Sequence, residues 1–132
     1  KFSANFNRLG FHPGFGLSVT LPRLVGLQKA AMLFYTGRRI GGEEAHAMGL
    51  ADILVAQDQV RAEAAKLARE IAISAPLAVQ ATRDSLRQGL VEQIRVAVAR
   101  ESTEQNAQFK TADFREGVAA MAARREPQFK GE

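Results

Sequence analysis

Residues 9–26 read Leu-Gly-Phe-His-Pro-Gly-Phe-Gly-Leu-Ser-Val-Thr-Leu-Pro-Arg-Leu-Val-Gly. Gly10, Pro13, Gly14 and Gly16 break any regular backbone and predict a tight loop. The apolar spacing that follows predicts a short helix over about 17–24. Pro22 sits badly inside a helix, so this one is expected to be short or kinked. Gly26 suits its C-terminal cap. Upstream, Phe2, Ala4 and Phe6 alternate with Ser3, Asn5 and Asn7. That period of two predicts a strand through residues 1–11.

Downstream, residues 27–36 place Leu27, Ala30, Ala31 and Phe34 on one helical face, and Gly37 ends the run. Gly41-Gly42 predict a turn before a short helix at 43–48, whose Glu43 and Glu44 favour the positive helix end. Gly49 closes it. Residues 50–55 are expected to be extended, with Ala51, Ile53 and Val55 on one side. From residue 58 the pattern is helical. Val60, Ala64, Leu67, Ala68, Ile71 and Ala72 form one stripe. Pro76 opens a second helix, about 76–88, which Gly89 closes. Residues 90–110 predict a third, with Ile94, Val98 and Phe109 at helical spacing. Asp113 and Glu116 suggest a capping box for a last helix, about 114–125, before Pro127. Two strands do not make a self-sufficient sheet. The opening strand is therefore expected to pair outside this chain, and the chain to fold poorly alone.

The chain has 132 residues, 46% hydrophobic and 24% charged, enough to bury a core and too apolar for general disorder. It has no cysteine, which removes disulfides and thiolate metal sites and fits a reducing compartment. The expected location is cytoplasmic. No apolar run approaches a membrane span. The net charge is +4, but the basic residues are interleaved with acids along helices, and none lie in a run with aromatics. Nucleic acid and membrane are therefore not expected as partners. A phosphate-rich ligand is compatible.

The segment 9–26, followed by Leu33-Phe-Tyr-Thr-Gly37, Arg39-Ile40 and Glu43-Glu-Ala-His-Ala-Met-Gly-Leu50, resembles the enoyl-CoA hydratase/isomerase (crotonase) family in order and spacing. The ending from Asp113 to Gly131 is similar to that family's carboxyl terminus. The resemblance covers essentially the whole chain and implies a carboxyl-terminal half, with an amino-terminal half expected upstream. The implied fold is α/β. Residues 1–55 would be the last turn of a β-β-α spiral and 56–132 a helical oligomerisation region, mostly α in this part. A homotrimer or dimer of trimers is implied as well.

The implied chemistry is that of an acyl-CoA thioester, such as fatty acid metabolism uses. Backbone N–H groups hold the thioester oxygen as it becomes an enolate. The resemblance places both donors and one catalytic glutamate upstream. It places the second acid position at Phe6, and an alternative Asp position at Gly14. Neither residue can give or take a proton, so standard two-carboxylate hydration is not expected. The loop implies an acyl pocket bordered by Phe6, Phe11, His12, Pro13, Gly14 and Phe15. Phe129 and Lys130 match residues that lie near the CoA adenine and phosphates; a frayed basic tail is the other reading. No cofactor is expected beyond coenzyme A as part of the substrate, and no metal. A non-catalytic acyl-CoA-binding or oligomerisation module is the alternative function.

Other candidates carry less. His12 between Phe11 and Pro13 more often packs or caps a loop than acts as base or donor. His46 with Glu43 makes too few ligands for a metal, and reads as a surface helix. Gly14-Phe-Gly16 lacks the glycine and Gly-Lys-Ser/Thr spacings of nucleotide loops. Ser18 has no evident partner for nucleophilic catalysis.

Overall fold

The computed structural model describes residues 1–132. Strand β1 (Phe2–Ser3) pairs antiparallel with β2 (Arg39–Ile40), in the register Phe2↔Ile40 and Ser3↔Arg39. Seven helices follow the loop: α1 (Leu17–Val25), α2 (Leu27–Thr36), α3 (Gly42–Ala47), α4 (Val60–Ala72), α5 (Pro76–Leu86), α6 (Leu90–Gln108) and α7 (Ala112–Ala123). No helix is long and apolar enough to cross a membrane.

The opening strand departs from its expected length and pairing. It stops at Ser3, and its partner β2 lies in the same chain rather than outside it. The alternation fails because the backbone curls. Asn5 C=O accepts from Arg8 N–H (3.1 Å), and Phe6 C=O accepts from both Leu9 N–H (2.9 Å) and Phe11 N–H (3.2 Å). The result is a 3-10 turn at Asn7–Leu9, closed by Gly10 at φ 81°. Residues 50–55 also join no ladder. Helix α1 runs past Pro22 to Val25, and the Gly26 N–H caps it through the Pro22 carbonyl.

The core is small and lies early in the chain. Ala4, Leu21, Val25, Ala30, Leu33, Ile40, Ala45 and Met48 form one buried cluster. It joins Ala4, just after β1, to β2 and the first three helices. Burial of each large aliphatic side chain there contributes about 1.5–3 kcal/mol. In all, 14 of the 132 residues are buried; those after residue 57 are Glu101, Gly117 and Ala120. The expected stripe of α4 is consequently uncovered, with Ile71 52% exposed. Ile73, Leu77 and Leu86 are exposed as well.

Helices α6 and α7 fold back onto the start of the chain. Helix α7 lies against the 3-10 turn so closely that a Cβ on Gly117 would sit 2.5 Å from the Leu9 carbonyl carbon. A Gly→Ala change ordinarily favours a helix by roughly 0.5–1 kcal/mol. Here the obstacle is backbone, which cannot rotate away. Gly117→Ala is expected to destabilise the protein by about 1–3 kcal/mol. Thermal melting reads the sign directly, and a raised melting temperature would contradict the packing.

Candidate functional site

The loop 11–16 is held from below by one face of α6. Glu101 is 2% exposed, and its carboxylate accepts from Gly16 N–H (2.7 Å), Ser18 N–H (3.0 Å) and the Ser18 hydroxyl. Those backbone groups open α1, where unpaired N–H groups and the positive helix end favour an anion. One turn on, Gln105 Nε2 donates to His12 C=O (2.8 Å). Gln108 Oε1 accepts from His12 N–H (2.6 Å). Residues at i, i+4 and i+7 share a helix face, so Glu101, Gln105 and Gln108 grip the loop at both ends. A Cβ on Gly14 would lie 2.6 Å from Gln105 Nε2, so a larger residue there would push the Gln105 amide aside.

Ser18 therefore has a partner, which its own sequence neighbourhood did not reveal. The signal was present in α6. The stripe Ile94, Val98, Glu101, Gln105, Gln108 is one continuous face that turns from apolar to polar. Polar residues on the continuation of a core-facing stripe are there to bond something buried.

The structure brings the sequence-identified aromatics together. Phe6 meets Phe11 edge to face at 5.6 Å between ring centres and Phe15 at 6.5 Å. Phe11 also meets Phe109 at 5.1 Å and Phe114 at 5.7 Å, so α6 and α7 supply the rest of the cluster. Within the loop, Pro13 and Gly14 are buried. His12 Nδ1 lies 2.7 Å from Pro13 C=O. A carbonyl only accepts, so Nδ1 carries a proton and the ring caps the loop. His46 is similarly engaged, with Nδ1 3.0 Å from Ala51 C=O.

The carboxyl end is strapped onto α7. Expected as a capping box, Asp113 and Glu116 do something else. The cap is Thr111, whose hydroxyl accepts from Phe114 N–H at 3.0 Å. Asp113 accepts instead from Lys130 N–H and Gly131 N–H, each at 2.8 Å. Glu116 accepts from Arg125 Nη2 (2.7 Å) and Gln128 N–H (2.8 Å). The strap sets Gly131 and Glu132 beside Phe11 and His12, in an open cleft of about 430 Å³. Phe129 is 41% exposed. Lys130 borders a separate polar hollow shared with Asp113, Glu116, Glu126 and Glu132. Phe129 and Lys130 thus lie on a tail that is hydrogen-bonded to the start of α7.

Arg125, and then the Gln128 N–H, lower the Glu116 pKa from 4.5 to about 2. A depressed carboxyl pKa stabilises the fold above its unfolded value, and that contribution is lost as pH falls. The strap is expected to hold above about pH 4.5 and to loosen as pH falls towards 2. Amide shifts of Gln128 followed by NMR would report it, and Glu116→Gln should abolish the transition. A Gln128 shift that titrates unchanged in that variant would contradict the assignment.

Loop, turn and helices occur in the order that one protein family uses, and the family model for enoyl-CoA hydratase/isomerase matches residues 1–132. The chain belongs to the enoyl-CoA hydratase/isomerase family. It is 37% identical over 126 residues to human enoyl-CoA hydratase domain-containing protein 2, mitochondrial, covering 92% of this chain and 43% of that protein. It is 36% identical over 121 residues to the short-chain-enoyl-CoA hydratase of Clostridioides difficile, covering 92% of this chain and 78% of that one. The crystal structure of carnitinyl-CoA hydratase from Mycobacterium avium superposes with a TM-score of 0.86 at 26% identity, over 98% of this chain and 51% of that chain. The fold is accordingly an α-rich part of the crotonase fold. The chain spans about half the length of most of the curated relatives it matches.

Proposed function

We propose that this chain forms the carboxyl-terminal half of an enzyme that acts on a CoA thioester through an enolate. Family membership carries the class of chemistry. The observation that supports a site here is the clamped loop: Glu101, Gln105 and Gln108 fix a backbone turn beside an aromatic cluster. An apolar wall on a rigid turn suits an acyl chain, since rigid placement of reacting groups is a large part of catalysis. The oxyanion donors and one acid would come from the upstream half. The thioester is the substrate, and no separate cofactor is needed for this chemistry. Phe129 and Lys130 would lie toward the adenine and phosphates, where an aromatic face can stack and an ammonium can pair.

Residues 1–55 would complete the spiral core and 56–132 the oligomerisation region. The exposed Ile71, Ile73, Leu77 and Leu86 support burial of α4 and α5 in an assembly such as a trimer.

Calorimetric titration of the full-length polypeptide with butyryl-CoA tests the reading. Saturable binding is expected; its absence would contradict it. A second reading, a non-catalytic acyl-CoA-binding module, is favoured by Phe6 and Gly14 at the family's acid positions. It predicts the same binding without proton exchange at the acyl α-carbon.

A further inference from the structure

Asp113 touches two segments that lie far apart in the chain. Its carboxylate accepts from Lys130 N–H and Gly131 N–H, and its own N–H donates to Glu132 C=O at 3.0 Å. Its carbonyl meets the other segment: a Cβ on Gly10 would sit 2.7 Å from that oxygen and 2.9 Å from Phe114 Cα. One turn further along α7 the arrangement repeats. Glu116 accepts from Gln128 N–H and Arg125, and its neighbour Gly117 lies against Leu9. Strap, helix and 3-10 turn therefore form three layers, with α7 in the middle.

The two interfaces of α7 differ in character. Against the 3-10 turn the contact is backbone on backbone, and the residues buried there, Gly117 and Ala120, bring almost no apolar side chain. Hydrophobic stabilisation follows apolar area, so it is small at this contact. Against the strap the contact is a set of hydrogen bonds to two carboxylates, roughly twice as strong as neutral ones. Three of the donors are the backbone N–H groups of residues 128, 130 and 131. Helix ends fray, and the first turn of α7 carries Asp113, Phe114 and Glu116. The part of α7 most prone to open is thus the part on which Gly10 rests, and it is the part that the strap ties down. Phe114 in turn packs on Phe11, at 5.7 Å between ring centres.

We infer that residues 128–131 act as a staple on the first turn of α7, and through it set how firmly the segment 6–11 is held. The strap is then a positioning segment for Phe6 and Phe11, acting through Asp113 and Gly10. The coupling is internal to the fold and does not require the CoA-thioester reading.

Hydrogen exchange of the full-length polypeptide, read by mass spectrometry, tests it. Leu9 N–H and Phe11 N–H both bond to Phe6 C=O, so the peptide covering residues 5–11 reports on the turn. Gln128→Pro combined with Lys130→Pro removes two of the three backbone donors and leaves the sequences of α7 and the turn untouched. Exchange in the peptide 5–11 is expected to be about tenfold faster in this variant, the scale of coupling between linked sites. Exchange within α2 should not change. Gln128→Ala combined with Lys130→Ala keeps both N–H groups and should match the wild type; faster exchange there would assign the effect to the side chains and overturn the inference. Unchanged exchange at 5–11 in the proline variant, with residues 128–132 freed, overturns it. So does a strap that stays protected without those donors, because the bonds then do not hold it. If the double proline variant fails to fold, Lys130→Pro alone is read by the same criteria.

Discussion

Glu101→Leu is expected to cost about 3 kcal/mol of folding stability. Leucine fills a similar volume, so the loss comes from polar groups. Gly16 N–H and Ser18 N–H would both lose their acceptor at the buried opening of α1. An unsatisfied buried donor costs about 1–3 kcal/mol, and bonds to a charged partner lie at the upper end. Glu101→Gln should cost less, since its carbonyl oxygen still accepts while its amide cannot. Urea denaturation of the variants measures the order. Glu101→Leu within 1 kcal/mol of wild type, an order-of-magnitude bound from the same scale, would mean that the carboxylate does not hold the loop.

Phe6→Glu is expected to raise enoyl-CoA hydration by the full-length polypeptide roughly 100-fold. The resemblance implies the family's second acid at this position, and a positioned general acid or base contributes about 10²–10⁴-fold. The site suits one. Phe11 and Phe15 flank residue 6 at 5.6 and 6.5 Å. An apolar neighbourhood raises a carboxyl's pKa toward the value useful for proton transfer at neutral pH. Loss of absorbance of the conjugated crotonyl-CoA reads the rate. A variant no faster than wild type, with its melting temperature preserved, would show that residue 6 does not face the reacting carbons.

Much of this was legible in the chain. Gly37, Gly89 and Pro76 mark helix limits where backbone geometry forces them to, at φ 56° and 73° for the two glycines. Apolar spacing together with glycine, proline and acidic first turns located every α-helix from residue 17 onward. The loop at 10–16 was visible because glycine and proline act locally. What failed depended on contacts distant in sequence. Phe2, Ala4 and Phe6 alternate like a strand, yet Phe6 packs across a turn against Phe11 rather than along a ladder. Asp113 and Glu116 have cap-like spacing, but the tail at 128–131 competes for their oxygens, and Thr111 takes the cap. Nothing in the local pattern of the 90–110 helix singles out Glu101. Its partners lie 83 and 85 residues earlier, beyond the reach of local pattern.

The aromatic cluster was similarly half visible. That Phe6, Phe11 and Phe15 border a pocket is what the family resemblance implies, and the loop residues alone show only an aromatic-rich turn. Phe109 and Phe114, which back Phe11 from α6 and α7, are 95 or more residues away along the chain. Their part in the site follows from the way α6 and α7 return to the loop.

The proposed activity requires the complete protein to hold a CoA thioester as an enolate. Enolate formation exchanges the acyl α-protons with solvent, whatever reaction follows. Incubating the full-length polypeptide with butyryl-CoA in deuterated water, and weighing the recovered thioester by mass spectrometry, measures that step directly. Enzyme-dependent deuterium at the α-carbon is the expected result. Tight binding of butyryl-CoA with no deuterium gained would contradict it and leave a binding module.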